Sequence, residues 1–173
     1  MLSSLASVFI HTVMDKSQLK QTILEQLYAI HKVAISATQR AIDTATDEET
    51  IPEHKYDTLA LEASYLAHGQ AIRVQECEED IRQYQALIVN DFEEGSKISL
   101  GALVKLIDDG DREKYFFLGP CAGGVTFSFD IIEVTIVTPK APLGQAMLGK
   151  QVGDEVCLSI GSKTICYDVD LII

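Results

Sequence analysis

The sequence predicts an α+β protein, in which an antiparallel helical hairpin of the coiled-coil type precedes a small antiparallel β domain with one short helix. Residues 15–45 contain neither Gly nor Pro and place apolar side chains every three or four residues. A second stripe of the same period runs through residues 56–89. After residue 96 the pattern changes to short apolar segments separated by Gly-containing turns, which is typical of strands.

The first predicted helix carries an apolar stripe with spacings of three and four residues, close to a heptad repeat. The stripe consists of Leu19, Ile23, Leu27, Ile30, Ala34, Ala37 and Ala41. These spacings place all seven side chains on one helix face. Because a single helix cannot bury such a face, we expect it to pack against a second helix of this chain or of another copy.

The second predicted helix supplies that partner. Its stripe consists of Leu59, Ala63, Leu66, Gln70, Val74, Cys77, Ile81, Tyr84 and Ile88. Pro52 precedes this helix and excludes one continuous helix, because proline lacks a backbone N–H and clashes with the preceding turn. We therefore expect the chain to reverse direction near Pro52. On the exposed surface, Tyr65 and Arg73 either face a partner or form an ordinary helix surface with Tyr65 half-buried.

The predicted tip of the hairpin is acidic. Its carboxylates are Asp43, Asp47, Glu48, Glu49, Glu53 and Asp57. Such a cluster holds a divalent cation or orients a water molecule. It is also typical of a solvated turn whose acids favour the N-terminus of the second helix. Both interpretations remain open from composition alone.

The domain boundaries follow from these patterns. We expect a loose N-terminal extension at residues 1–14, the hairpin at 15–91, a linker at 92–96 and the β domain at 97–173. Five strands are predicted, at residues 97–107, 114–118, 127–138, 155–160 and 163–172. The pair Gly161-Ser162 predicts a two-residue hairpin loop with a Gly-first turn of type II′.

Charge and hydropathy exclude some classes of function. The net charge is −12, with 26 acidic and 14 basic residues, which disfavours direct binding to nucleic-acid backbones. No apolar run approaches the roughly 20 residues of a membrane span. The first residues also lack the basic region of a signal peptide, so we expect a cytoplasmic protein that does not enter a membrane.

The four cysteines, Cys77, Cys121, Cys157 and Cys166, show no CxxC spacing and no neighbouring histidine pair. A structural zinc site usually draws its ligands from such close pairs. We therefore expect buried free thiols in a reducing compartment and no intrinsic metal site.

Residues 138–156 read TPKAPLGQAMLGKQVGDEV. This run resembles the (S/A)-P-(I/L)-(G/A)-x-A-(L/M)-(I/L)-G-K-x-x-G-D-x-V pattern in the C-terminal domain of the bacterial Gre transcript-cleavage factors. The match extends from Ala141 to Lys150 and from Gly153 to Val156. The resemblance implies an FKBP-like fold for the β domain. It also implies a polymerase-docking turn formed by Thr138, Pro139, Lys140, Ala141, Pro142 and Leu143.

The same resemblance implies an accessory factor, rather than an enzyme, whose partner is bacterial RNA polymerase. In the family the hairpin enters the secondary channel of the polymerase. Acidic tip residues there help to hold Mg²⁺ at the polymerase active site and stimulate cleavage of backtracked RNA. The factor is then a monomer without a cofactor of its own, and it meets nucleic acid only through the polymerase. The candidate catalytic residues are Asp47, Glu48, Glu49 and Glu53.

This tip departs from the family pattern, because the Gly-Asp and Glu-Asn pairs of cleavage factors are absent and Pro52 lies among the acids. A channel-binding inhibitor or regulator without cleavage activity therefore remains an alternative. So do a coiled-coil dimerisation protein and an FKBP-like prolyl isomerase, although the chain has no Trp to line an isomerase pocket.

Overall fold

The computed structural model describes residues 15–46, 59–161 and 163–173. Its helices are α1 (Lys16–Thr46), α2 (Leu59–Ala86) and α3 (Pro142–Met147). Its strands are β1 (Leu103–Asp108), β2 (Glu113–Leu118), β3 (Thr126–Phe129), β4 (Ile132–Val137), β5 (Glu155–Ile160) and β6 (Lys163–Ile172). The predicted fold class is confirmed, since two long helices precede a small sheet with one short helix. Within the described ranges, no helix combines the length and the apolar character needed to cross a bilayer.

The chain divides into two compact units, which are described separately. One unit is Leu24–Gln85 and the other contains the described residues up to Ile23 together with Ala86–Ile173. This division falls within the two long helices, whereas the sequence places a domain boundary at the linker 92–96.

In the helical unit, α1 and α2 run antiparallel. The Gln85 side chain donates a 2.8 Å hydrogen bond to the Tyr28 hydroxyl. Three residues further along α1, His31 Nε2 lies 3.5 Å from Glu78 Oε1. As the residue number rises along α1, the number of the contacted residue in α2 falls. The two helices therefore pack antiparallel. The helices therefore form the predicted hairpin over their described lengths.

The stripe of α1 is confirmed, because each of its residues is buried or half-buried. The stripe of α2 is correct from Gln70 to Tyr84 but wrong at Leu66 and Ile88, which are 56% and 77% exposed. Half-buried Ala67 continues the alternation of three and four residues where Leu66 does not, and Ile88 lies beyond the end of α2. Tyr65 is 70% exposed rather than half-buried.

The six strands form one sheet in the order β3-β4-β2-β1-β6-β5. Four neighbouring pairs are antiparallel, but β2 and β4 run parallel, so the prediction of a purely antiparallel sheet is wrong at that pair. After β2 the chain forms the edge strand β3. It then returns as β4, which lies between β3 and β2. Such a return requires the long connection that parallel neighbours need.

Two predicted strands differ from the structure by more than one residue, while β2 begins one residue earlier than predicted. The segment 127–138 contains two strands, because Asp130 adopts a left-handed φ of 51° and turns the chain. The strand predicted from residue 97 begins at Leu103, since the Ala102 N–H bonds the Ser99 carbonyl in a turn. The bounds of β5 and β6 agree with the prediction. Ile160 pairs with Lys163, which confirms the two-residue loop between them.

The main core of the β domain lies between one sheet face and α3. It consists of Ile98, Ala102, Val104, Leu106, Leu118, Met147, Val156, Val169 and Ile172. Leu143 and Ala146 of α3 and Phe116 of β2 pack against this cluster. The short helix is therefore held to the sheet by its apolar side, which leaves the preceding turn at the surface.

Candidate docking surface

The six predicted docking residues, 138–143, form the turn after β4 and the first two residues of α3. The Ala141 N–H bonds the Thr138 carbonyl at 3.0 Å and closes the turn. Pro142 then occupies the first position of α3, where a missing N–H costs nothing and the fixed φ suits a helix. Lys140 and Pro142 are exposed and the other four residues are half-buried. The structure thus places the whole predicted docking set together at the surface.

In this chain the position after Pro142-Leu143 is Gly144, where the neighbouring backbone leaves no room for a side chain. A Cβ atom at this position would lie 2.0 Å from the Thr138 carbonyl oxygen and 2.7 Å from its carbonyl carbon. Any other residue would therefore collide with backbone that cannot rotate away. The contact presses the first turn of α3 against the end of β4, so Gly144 sets the shape of the docking turn.

The second half of the motif ties α3 to the rest of the β domain. The Gly149 N–H bonds the Ile98 carbonyl at 2.9 Å, and the Ile98 N–H bonds the Lys150 carbonyl at 2.7 Å. Asp154 Oδ2 accepts a 2.8 Å hydrogen bond from the Gln151 N–H and stabilises the next turn. Gly153, at φ 89°, donates to the Val169 carbonyl of β6. Through these hydrogen bonds, the Gly-Lys-x-x-Gly-Asp spacing has a structural role in the β domain.

The docking turn borders an open groove with a volume of about 1330 Å³. Pro142, Leu143 and Ala146 lie on one side, Leu158 and Ser159 of β5 on another, and Phe116 also contributes to the lining. Among the described residues that line this groove there is no His, Asp or Glu. The described groove lining therefore contains no carboxylate or imidazole group for general acid–base chemistry. The apolar lining with Lys140 at its edge suits an apolar protein surface that carries a carboxylate.

Residues 93–172, which include the docking turn and groove, match the family described as "Transcription elongation factor, GreA/GreB, C-term".

Over these residues the chain is similar to the GreA/GreB family.

The similarity extends into the helical half of the chain. The chain is 28% identical over 137 residues to transcription elongation factor GreA of Desulfovibrio desulfuricans, covering 75% of each protein. It is 26% identical over 151 residues to GreA of Thermodesulfovibrio yellowstonii, covering 86% of this chain and 89% of that one. A solved structure, GreA factor homolog 1 of Thermus thermophilus, aligns with a TM-score of 0.38 at 21% identity, covering 90% and 93% of the two chains.

The four predicted catalytic residues, Asp47, Glu48, Glu49 and Glu53, lie outside the described residues. The last described residue of α1 is Thr46. In the last described turns, Gln39 Nε2 donates a 2.8 Å hydrogen bond to Asp43 Oδ1, and the Thr44 hydroxyl bonds the Arg40 carbonyl. The role of the tip acids stays a prediction.

The cysteine prediction is wrong for two of the four residues. Cys157 and Cys166 form a disulfide across β5 and β6, with Cα atoms 4.1 Å apart. Cys77 is a buried free thiol and Cys121 is a half-buried thiol. The predicted Gly161-Ser162 loop already contained the missed signal. Counting outward from Ile160 and Lys163 makes Cys157 and Cys166 direct cross-strand partners.

A carboxylate oxygen of Glu155 and the two disulfide sulfurs lie within 4.8 Å of one another. Metal coordination by cysteine requires thiolates. Because these two sulfurs are bonded to each other, the cluster does not offer a metal site in this state.

Proposed function

We propose that this protein is a transcription elongation factor that binds bacterial RNA polymerase. Its docking turn contacts the polymerase surface, and its helical hairpin enters the secondary channel. The match of residues 93–172 to the GreA/GreB C-terminal family carries this proposal. The exposed turn beside an apolar groove supports it, because it offers a protein-binding surface rather than a catalytic pocket. The protein is an accessory factor, acts in the cytoplasm and functions as a monomer.

The acidic tip gives the proposal its chemistry. Asp47, Glu48, Glu49 and Glu53 provide hard carboxylate oxygens, the ligand type that Mg²⁺ prefers. At the polymerase active site they would help to hold a shared Mg²⁺, which supports hydrolytic cleavage of backtracked RNA. The net charge of −12 agrees with a factor that reaches nucleic acid only inside the polymerase.

A second candidate is a channel-binding regulator that does not stimulate cleavage. It is favoured by one observation, the absence of the Gly-Asp and Glu-Asn pairs at a tip that contains Pro52. A carboxylate displaced by about 1 Å can reduce a rate roughly a hundredfold. Such a tip would still occupy the channel and compete with cleavage factors.

The two remaining alternatives have less support. A dimeric coiled coil would use the apolar stripes between chains, but α1 and α2 bury much of those stripes within the described hairpin. A prolyl isomerase would need an aromatic-lined pocket, and Phe116 is the sole aromatic residue among the described groove lining.

The test measures RNA cleavage in stalled, backtracked elongation complexes with purified protein and Mg²⁺. The wild type is compared with the double variant Glu49→Ala/Glu53→Ala. Cleavage that the double variant loses identifies a cleavage factor with a rearranged tip. No cleavage, with retained competition against a Gre factor, identifies the channel-binding regulator. Absence of both cleavage and competition would reject the proposed function.

Docking is tested separately by binding to the polymerase core. Lys140→Glu reverses the exposed charge at the docking turn and should weaken binding about tenfold. Lys97→Glu makes the same charge change at an exposed position outside the turn and is the matched control. Equal affinities for the two variants would remove the docking turn from the interface.

A further inference from the structure

The disulfide between Cys157 and Cys166 lies at the surface of the β domain. Cys157 is exposed and Cys166 is half-buried, so a small thiol or disulfide in solution can reach the sulfur atoms. Exposed disulfides are the ones that exchange readily with solution thiols, in contrast to bonds buried in a core. Cys77 differs, because it is buried within the helical unit.

The bond acts on an edge strand of the described sheet. β5 is at the edge of the strand order and pairs with β6, whereas β6 also pairs with β1. A bond between Cys157 and Cys166 closes the loop that contains the outer half of β5, the two-residue turn and the start of β6. Without such a bond, an edge strand frays more easily than an interior strand.

The same closed loop forms part of the groove beside the docking turn. Leu158, Ser159 and Gly161 lie within the loop and line the groove, and Cys157 is itself among the lining residues. The disulfide therefore holds one side of the groove, while the contact between Gly144 and Thr138 shapes the turn on another.

We propose that Cys157 and Cys166 are a reversible thiol–disulfide site whose oxidised form orders the groove. Its reaction partner is a low-molecular-weight disulfide. One protein thiolate attacks that disulfide and releases one small thiol. The second protein thiolate then attacks the mixed disulfide and releases the other. Two electrons pass to the small molecule, the two protons go to its thiols, and the protein S–S bond forms. The effect of this site on docking rests on the proposed function.

The experiment compares the full chain after dithiothreitol with the full chain after oxidised glutathione. Alkylation followed by peptide mass mapping reports each cysteine separately. We expect Cys157 and Cys166 to be alkylated after reduction and protected after oxidation. Hydrogen exchange in the described part of residues 155–168 should be about tenfold slower in the oxidised form. The variant Cys157→Ser/Cys166→Ser should exchange like the reduced protein in both conditions.

Two results would overturn the proposal. One is continued alkylation of both cysteines after oxidised glutathione, and the other is equal hydrogen exchange in the two forms. Binding to the polymerase core then tests the last step, where the oxidised form should bind about threefold more tightly because its groove is ordered beforehand. Equal binding of both forms would reject the effect on docking. Binding by neither form would reject the proposed function and leave the thiol–disulfide site established by alkylation and exchange.

Discussion

The α carbon of Gly144 lies so close to the carbonyl group of Thr138 that a Cβ atom on residue 144 would stand 2.0 Å from the carbonyl oxygen. This contact joins the end of β4 to the first turn of α3. Because the contact is with backbone, the turn must move before any side chain fits at residue 144.

We predict that Gly144→Ala lowers the free energy of unfolding by about 2 kcal/mol, since overpacking against a fixed backbone typically costs 1–3 kcal/mol. Chemical denaturation measures this change. Gly69→Ala is the control, because its Cβ would meet no atom within 4 Å in helix α2. It should stabilise the protein by up to about 1 kcal/mol. Equal effects of the two substitutions would contradict the close contact at Gly144.

Ala122 adopts a left-handed φ of 58° in the loop between β2 and β3. A residue with a Cβ pays about 1–2 kcal/mol in this conformation, whereas glycine does not. We predict that Ala122→Gly stabilises the protein by about 0.5 kcal/mol, since the greater freedom of glycine in the unfolded chain offsets part of the gain. Ala71→Gly, at an exposed position in α2, should destabilise it by about 1 kcal/mol. Destabilisation by both would contradict strain at Ala122.

Lys105 is a buried cation that two carboxylates hold on the sheet. Its Nζ lies 2.6 Å from Glu113 Oε1 and 3.0 Å from Asp170 Oδ2. We predict that Lys105→Met lowers the free energy of unfolding by about 1–2 kcal/mol at pH 7, since both carboxylates lose the cation but keep access to water. Lys97→Met, at an exposed position, should change it little.

The effect of Lys105→Met should depend on pH. The hydrogen bond from Lys105 lowers the pKa of Glu113 below its usual 4.5, despite an opposing effect of burial. A carboxyl group with a lowered pKa contributes stability above its unfolded pKa and loses it as pH falls through the folded value. The difference between wild type and Lys105→Met should therefore shrink between pH 5 and more acidic solution. A constant difference in denaturation experiments over this range would count against the ion pair.

Lys16 should add a second pH dependence of stability, in alkaline solution. Its Nζ donates to the Asn90 carbonyl and lies 4.2 Å from the centre of the Phe92 ring. Burial lowers its pKa from 10.5 to about 8, although Asp91 acts to raise it. Between these values the unfolded chain binds more protons than the folded protein, so stability rises with pH. We predict that wild type gains stability relative to Lys16→Met between pH 8 and pH 10.5. Parallel stability curves for the two proteins would contradict this prediction.

The local sequence determined those elements whose conformation depends on residues close together in the chain. The Gly- and Pro-free stripe predicted α1 to within one residue at each end. Gly161-Ser162 predicted the loop between β5 and β6 and the bounds of both strands. These features follow from periodicity and turn chemistry, which depend on residues a few positions apart.

The contacts between segments that are distant in the sequence were decided only by the tertiary structure. Asp130 turns the chain without Gly or Pro, so the hairpin of β3 and β4, and the parallel pairing of β4 with β2, had no local signal. Leu66 is apolar but exposed, because the packing of α2 selects Ala67 instead. The motif around Gly144 was recognisable as a sequence pattern. The physical reason for a glycine at this position in this chain is the close approach of the Thr138 carbonyl, which only the structure shows. Sequence alone determines conformations that neighbouring residues favour, whereas strand order and close contacts depend on which distant surfaces meet.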